Sequence, residues 1–239
     1  MAQWSLAQIV NIEDQRKLDP QDTIAWFGQV GLQYSIVQNG DQVSQTKFNA
    51  RFDRVYNRHL VFSITNYNLV NIGSEKFIND GFQHLRYNYR MSKRWTYEAF
   101  AQAQYNERLN LRLRTLLGTG PRYAWLTKEN YNGFIGVLYM YEYSDESAPD
   151  REFHDHRMSS YLSFELHPKP YLTIGSTNYF QPLLTDFGDF RVSSQTRVNF
   201  NITSKLFFTT TFNFTYDTDV PEGIVNTIYS LTNGIRFMF

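Results

Sequence analysis

The chain contains no cysteine, which excludes disulfide bonds, thiolate metal sites and a cysteine nucleophile. It also contains no run of about 18 apolar residues, so the sequence predicts no transmembrane helix. Glycine and proline are few, 13 and 7 among 239 residues, which argues against a fibrous or disordered chain. The 23 basic residues balance the 23 acidic residues, and this neutrality argues against a nucleic-acid-binding protein. Aromatic residues are abundant, at 17%, with 20 Phe and 17 Tyr.

The strongest pattern in the sequence is an alternation of apolar and polar residues with a period of two. A β-strand sends successive side chains to opposite faces, so this alternation predicts strands with one apolar and one polar face. No helical pattern competes with it, except for a short one in residues 8–19. Twelve strands are predicted, over residues 24–37, 43–56, 59–69, 82–91, 94–106, 109–126, 131–143, 156–166, 171–181, 189–202, 205–217 and 225–239.

The connections between these strands alternate in length. Tight turns are predicted at residues 57–58, 92–93, 127–130, 167–169 and 203–204. The intervening connections are mostly longer, at residues 39–41, 70–80, 144–155, 182–188 and 218–223, and the link at residues 107–108 is a short exception. Short turns at one end and longer loops at the other, with an even strand number, are typical of an outer-membrane barrel with both termini in the periplasm.

Aromatic residues lie near both ends of the predicted strands, as with Trp26 and Trp95 at one end and Tyr34 and Tyr141 at the other. Two such girdles match the two interfaces of a membrane. A soluble β-sandwich is the rival interpretation, but its strands are usually shorter than these. The sequence therefore predicts an all-β fold. The predicted architecture is a single transmembrane antiparallel β-barrel of about 12 strands in the bacterial outer membrane, with short periplasmic turns and longer extracellular loops.

The two ends of the chain carry separate signals. Residues 1–22 are predicted to be a signal-peptide remnant followed by a periplasmic tail, and residues 23–239 the barrel. The closing alternation resembles the terminal aromatic signal that outer-membrane barrels present to their assembly machinery, and it comprises Leu231, Ile235, Phe237 and Phe239. We therefore expect the barrel-assembly machinery, outer-membrane lipid and lipopolysaccharide as partners, and no nucleic acid.

Three segments carry a family resemblance. They are residues 84–123 (HLRYNYRMSKRWTYEAFAQAQYNERLNLRLRTLLGTGPRY), residues 181–196 (QPLLTDFGDFRVSSQT) and the closing YSLTNGIRFMF. Together they make the chain resemble the salt-induced outer-membrane protein family, a group of unknown function. The resemblance implies an outer-membrane barrel and an association with salt or envelope stress. It implies no catalytic residue.

The alternation also assigns the charged residues to the two faces. It places eleven basic residues inside the barrel, namely Lys47, Arg51, Arg86, Arg90, Arg112, Arg114, Arg122, Arg157, Arg191, Arg197 and Arg236. It places five acidic residues with them, namely Asp53, Glu98, Glu142, Glu165 and Asp189, which leaves an excess of six positive charges. At the short-turn end seven basic residues face one acid, whereas the outer loops hold three basic residues and thirteen acids.

Two interpretations of this arginine-rich lumen stay open. In one, ion pairs between arginine and carboxylate seal the lumen, because an uncompensated buried charge is costly. In the other, the excess cations line a narrow, anion-selective path for small solutes. A third hypothesis is a structural barrel that partners another envelope protein.

One stretch suggests catalysis or metal binding. His154 and His156 share a strand face, as two metal ligands would, and Ser159 follows them in a spacing that allows a barrel-rim hydrolase. No third member of a catalytic triad can be placed by spacing. We therefore expect no enzyme activity, no metal site and no cofactor.

Overall fold

The computed structural model describes residues 24–73, 75–147, 150–220 and 223–237. Nearly all of these residues lie in twelve long strands. The strands are β1 (Ile24–Asn39), β2 (Asp41–Tyr56), β3 (His59–Ile72), β4 (Glu75–Arg90), β5 (Trp95–Asn106), β6 (Leu111–Lys128), β7 (Tyr131–Ser147), β8 (Asp150–Lys169), β9 (Leu172–Pro182), β10 (Phe190–Asn201), β11 (Leu206–Asp217) and β12 (Thr227–Phe237). A short 3₁₀ turn at Glu107–Leu109 joins β5 to β6. No helix in the described ranges is long and apolar enough to cross a membrane.

The strands form one antiparallel sheet in which each pairs with its neighbours in sequence, in the order β1 to β12. The predicted all-β fold and the predicted number of strands are therefore confirmed. Across the residues described, no hydrogen-bonded ladder joins β1 to β12, so these two strands form the edges of the sheet. Aliphatic side chains on both edge strands are highly exposed, as with Leu32 and Ile235, each at 73%.

The alternation seen in the sequence separates a buried face of the sheet from an exposed face. On β6, Arg114, Leu116 and Gly118 are buried. Leu117, which lies between Leu116 and Gly118 in the sequence, points to the other face and is 57% exposed. The sheet curls around its buried face, because side chains of non-adjacent strands meet there. The Tyr161 hydroxyl on β8 donates a 2.8 Å hydrogen bond to Glu98 on β5. The same face carries an apolar cluster of Phe100, Leu116, Leu138, Met140, Tyr161 and Tyr179.

Two segments that were predicted to be long loops are strands instead. Residues 70–72 and 75–80 continue the ladder between β3 and β4, and residues 144–147 and 150–155 continue the ladder between β7 and β8. The prediction treated these polar runs as loops because apolar residues are scarce in them. A hairpin that projects into water has polar surroundings on both faces, so a run of polar residues is compatible with a strand there.

Two glycines on the buried face allow aromatic rings to lie against the sheet. A Cβ atom on Gly136 would lie 2.1 Å from the ring of Tyr161, and one on Gly118 would lie 2.3 Å from the ring of Phe100. Any larger residue at these positions must displace the ring.

Candidate functional site: a buried arginine–carboxylate network

Glu142 on β7 is the centre of a network of ion pairs on the buried face. Its carboxylate is fully buried and contacts the guanidinium groups of three arginines from three other strands. The distances are 2.9 Å to Arg114 Nε, 2.7 Å to Arg191 Nη1 and 3.5 Å to Arg157 Nε. Ser144, two residues along the same face, donates to Glu142 at 2.9 Å and accepts from Arg114 at 2.9 Å. One carboxylate thereby links β6, β7, β8 and β10.

Two of these arginines extend the network toward the end of the sheet that lies opposite the short turns. Arg157 makes a bidentate pair with Asp189, with both nitrogen–oxygen distances at 3.0 Å, and also donates to Asp155 at 3.0 Å. Arg191 donates through Nε to Asp217 on β11 at 2.8 Å. Bidentate contacts of this kind orient the guanidinium as well as neutralising it.

Glu98 on β5 forms a second buried centre. It is fully buried and pairs with Arg86 at 3.2 Å and with Arg122 at 3.7 Å, besides accepting the hydroxyl of Tyr161. The two guanidinium groups also stack on aromatic rings of the same face. Arg122 lies 3.7 Å from the ring centroid of Phe134. Each arginine here therefore has a carboxylate on one side and apolar surface on another.

The buried charges balance. Within the described ranges, the buried charged residues are five arginines and five carboxylates, namely Arg86, Arg114, Arg122, Arg157, Arg191, Asp53, Glu98, Glu142, Glu146 and Asp217. The sequence analysis predicted an excess of six positive charges over the whole inward face, and these ten buried residues by themselves show no excess. The sequence interpretation placed Glu146 and Asp217 in outer loops, whereas both lie on the buried face, because β7 continues to Ser147 and Asp217 is the last residue of β11. The signal that could have identified them is their parity with Glu142 along β7 and with Thr215 along β11.

The other predicted lumen residues lie at different depths. Lys47, Arg51, Arg90 and Arg197 are half-buried on the buried face. Arg236 is exposed on the same face, with its guanidinium 4.9 Å from the ring of Phe207. Glu165 is exposed and pairs with His167 at 2.9 Å.

Arg112 departs from the predicted placement. The ladder between β6 and β7 shifts register between Leu111 and Leu113, so the alternation breaks there. The Arg112 side chain is 47% exposed and binds Asp145, at 2.7 Å from Nε, and Asp150. Arg112 therefore lies at the exposed end of the sheet opposite the short turns and is not part of the buried network.

The buried face has a second half with a different character, formed by β1, β2, β10, β11 and β12. Asp53 and Asp217 are the only carboxylates of the described residues on that face of these strands, and each binds an arginine. The rest of this face carries Lys47, Arg197 and Arg236 among Gln29, Gln33, Asn49, Gln195, Asn199, Thr209, Thr211, Asn213, Ser230 and Thr232, together with apolar residues that include Phe27, Val55, Phe207 and Ile228.

The residues that suggested catalysis are not brought together. His154 and His156 lie on the exposed face, where the hydroxyls of Tyr141 and Tyr139 bind their Nδ1 atoms. Ser159 is buried on the opposite face and accepts a hydrogen bond from Gln181 at 2.9 Å. In the part of the chain that is described, no three His, Asp or Glu side chains gather into a group that could hold a metal ion.

The predicted assembly signal lies on the exposed face of β12. Leu231, Ile235 and Phe237 are 62%, 73% and 61% exposed, and Phe239 lies outside the described residues. Recognition by the assembly machinery stays a prediction.

The curled antiparallel sheet has the architecture of a porin. The NanC porin, solved in a rhombohedral crystal form, matches with a TM-score of 0.51 and 13% sequence identity, over 90% of this chain and 98% of that one. Pseudomonas aeruginosa OccK11 (OpdR) is aligned over 92% of this chain and 87% of that chain, with 9% identity and a TM-score of 0.39. The first likeness shows a porin-type β-barrel fold.

Residues 44–239 match the family DUF481, described as a protein of unknown function, and the chain belongs to that family. Among curated proteins, none matches this sequence. The association with salt stress stays a prediction.

Proposed function

We propose that this protein is a bacterial outer-membrane barrel that conducts small anions along one half of its inner face, while the ion-pair network fills the other half. The observation that carries this proposal is the unequal distribution of charge inside. The half around Glu142 and Glu98 is neutral and packed. The half formed by β1, β2 and β10–β12 holds Lys47, Arg197 and Arg236 among hydroxyl and amide groups.

The membrane location is supported by the inversion of the usual protein surface. Aliphatic side chains point outward, with Val30 73% and Leu117 57% exposed, while charged side chains such as Arg157 are buried. A soluble protein hides apolar residues and exposes its charges, whereas a membrane barrel does the reverse. The porin-type fold agrees with this assignment.

The selectivity follows from the electrostatics of a narrow path. Cationic side chains beside a low-dielectric wall raise the local concentration of anions and repel cations. A barrel of this strand number leaves room for only a narrow path once side chains are placed, and here the ion-pair network occupies part of that room. The permeant solutes are therefore small anions.

Conductance in planar bilayers tests the proposal. The unmodified protein is expected to conduct anions in preference to cations. Replacing Lys47, Arg197 and Arg236 together by Gln is expected to lower the anion-to-cation permeability ratio by roughly threefold or more, because the fixed charges of the path are removed. The reversal potential in a salt gradient gives this ratio directly.

The control is Arg54→Gln, which removes an exposed cation whose guanidinium lies 4.5 Å from the ring of Trp26 on the opposite face. It should leave the ratio unchanged. A cation-selective current, or an equal loss of selectivity in the control, contradicts the proposed path. A protein that inserts and never conducts favours the structural barrel with an envelope partner instead.

A further inference from the structure

The short-turn end of the sheet is strongly basic. Six exposed cations lie in or beside its turns, and we refer to them as the basic rim: Arg58, Lys93, Arg94, Lys128, Lys169 and Lys205. Glu129 is the only carboxylate among the described turn residues at this end. The opposite end is acidic, with Glu107, Asp150, Glu152, Asp186 and Asp219 all exposed. The chain is neutral overall, so this difference is a segregation of charge and not an excess.

Backbone hydrogen bonds join the separate turns into one continuous surface. The amide of Arg90 donates to the carbonyl of Arg58 at 2.8 Å, which places the β2–β3 turn against the β4–β5 turn. The amide of Ala124 donates to the carbonyl of Arg94 at 2.8 Å, and that of His167 to Asn130 at 2.8 Å. Cations from neighbouring turns are therefore held side by side.

Exposed aromatic residues place this rim at the level of lipid headgroups. Trp26, Trp95 and Trp125 lie near the same end and are 58%, 46% and 43% exposed. Tryptophan and tyrosine concentrate where a membrane meets water. Arg94 donates to the Tyr123 hydroxyl at 3.2 Å, and the ring of Tyr123 lies 4.8 Å from that of Trp95. The guanidinium is thereby held beside the aromatic belt, where lipid phosphates lie.

We propose that the basic rim binds the headgroups of anionic phospholipids in the membrane leaflet on the periplasmic side, an inference that rests on the membrane location proposed above. Arginine and lysine in the headgroup layer attract anionic lipid, and arginine makes bidentate contacts with phosphate. Charge complementarity favours this occupant, because the acidic end repels the same lipids. The contact also fixes the orientation and depth of the barrel.

Tryptophan fluorescence in lipid vesicles tests the inference, because three of the four tryptophans lie beside the rim. The full chain carrying Trp4→Phe is reconstituted with brominated phosphatidylglycerol or brominated phosphatidylcholine, whose bromine atoms quench nearby tryptophan. The relative binding constant for phosphatidylglycerol is expected to be about threefold or more above that for phosphatidylcholine. The ratio of the two binding constants should approach one at 1 M salt, where the screening length is about 3 Å.

Two matched variants identify the residues responsible. Arg58→Gln with Arg94→Gln is expected to lower the preference toward one, because two of the six rim cations are lost, whereas Arg58→Lys with Arg94→Lys should retain it. Arg108→Gln with Arg112→Gln removes the same number of cations from the opposite end and should change nothing.

Equal quenching by the two lipids, or an unchanged preference in the Gln variant of the rim, overturns the inference. Binding to purified peptidoglycan that is lost in the Gln variant, without any lipid preference, overturns it in favour of the cell wall. If neither brominated lipid quenches the fluorescence, the membrane location itself fails. Equal quenching by both lipids is compatible with the membrane location and refutes only the binding of anionic lipid at the basic rim.

Discussion

Replacing Glu142 by Gln is expected to destabilise the protein by about 3 to 5 kcal/mol, because it removes one partner of a buried ion pair and leaves the other charges in place. The carboxylate contacts Arg114, Arg157 and Arg191 at once. Glutamine has nearly the same shape, so the loss is electrostatic and not a cavity. Arg157 and Arg191 keep their aspartate partners, whereas Arg114 has Glu142 as its only salt-bridge partner within 4 Å among the described residues.

Urea unfolding of the reconstituted protein, followed by tryptophan fluorescence, measures this loss. The matched control is Glu152→Gln, which makes the same chemical change at an exposed position of β8 and should cost less than about 0.5 kcal/mol. The double variant Glu142→Gln with Arg114→Gln removes a charge of each sign. It should recover part of the loss, since the two residues are coupled. Equal midpoints for Glu142→Gln and Glu152→Gln would refute the role of Glu142.

Loss of Glu142 is also expected to raise the conductance in planar bilayers. Three guanidinium groups without their shared carboxylate repel one another, so the packed half of the lumen should loosen. A destabilised variant whose conductance is unchanged would mean that the network supports the fold without limiting the path.

Gly136→Ala is expected to destabilise the protein by about 2 to 4 kcal/mol, which combines overpacking with the loss of a buried hydrogen bond to a charged group. The added methyl group would lie 2.1 Å from the ring of Tyr161, so the ring must move. The Tyr161 hydroxyl then leaves the carboxylate of Glu98. One methyl group on β7 thereby disturbs the ion-pair centre on β5.

The control is Gly234→Ala on the same face of β12, where a Cβ would have no atom within 4 Å. It should change the unfolding free energy by less than about 0.5 kcal/mol. Tyr161→Phe keeps the ring and removes only the hydroxyl, so it separates the hydrogen bond from the packing. If Gly136→Ala and Gly234→Ala unfold at the same urea concentration, the close packing of Tyr161 does not contribute to stability.

Much of the buried face could be predicted from the parity of residues along each strand. Arg86, Arg122 and Arg191 are buried where the alternation places them. Arg112 was misplaced because a register shift breaks the alternation at one point, and no feature of the local sequence marks it. Glu146 was misplaced because the strand was ended too early, at the first polar run.

The partners of the buried charges could not be predicted in the same way. Arg191 and Glu142 are 49 residues apart, and their contact depends on how far the sheet curls and on the register of every strand between them. Parity therefore placed most of the basic residues on the face where the structure has them, but it missed the carboxylates Glu146 and Asp217, which pair with Arg151 and Arg191. In the structure the buried arginines and carboxylates are equal in number, and Lys47, Arg197 and Arg236 lie in the other half of the same face.

The amino-acid sequence by itself determined that the chain is a sheet of long strands with an apolar and a polar face, because a period of two is a property of the extended backbone at each residue. Only the tertiary structure decided which charges neutralise one another. That decision depends on curvature and register, which bring distant strands within hydrogen-bonding distance and are not encoded in any single segment.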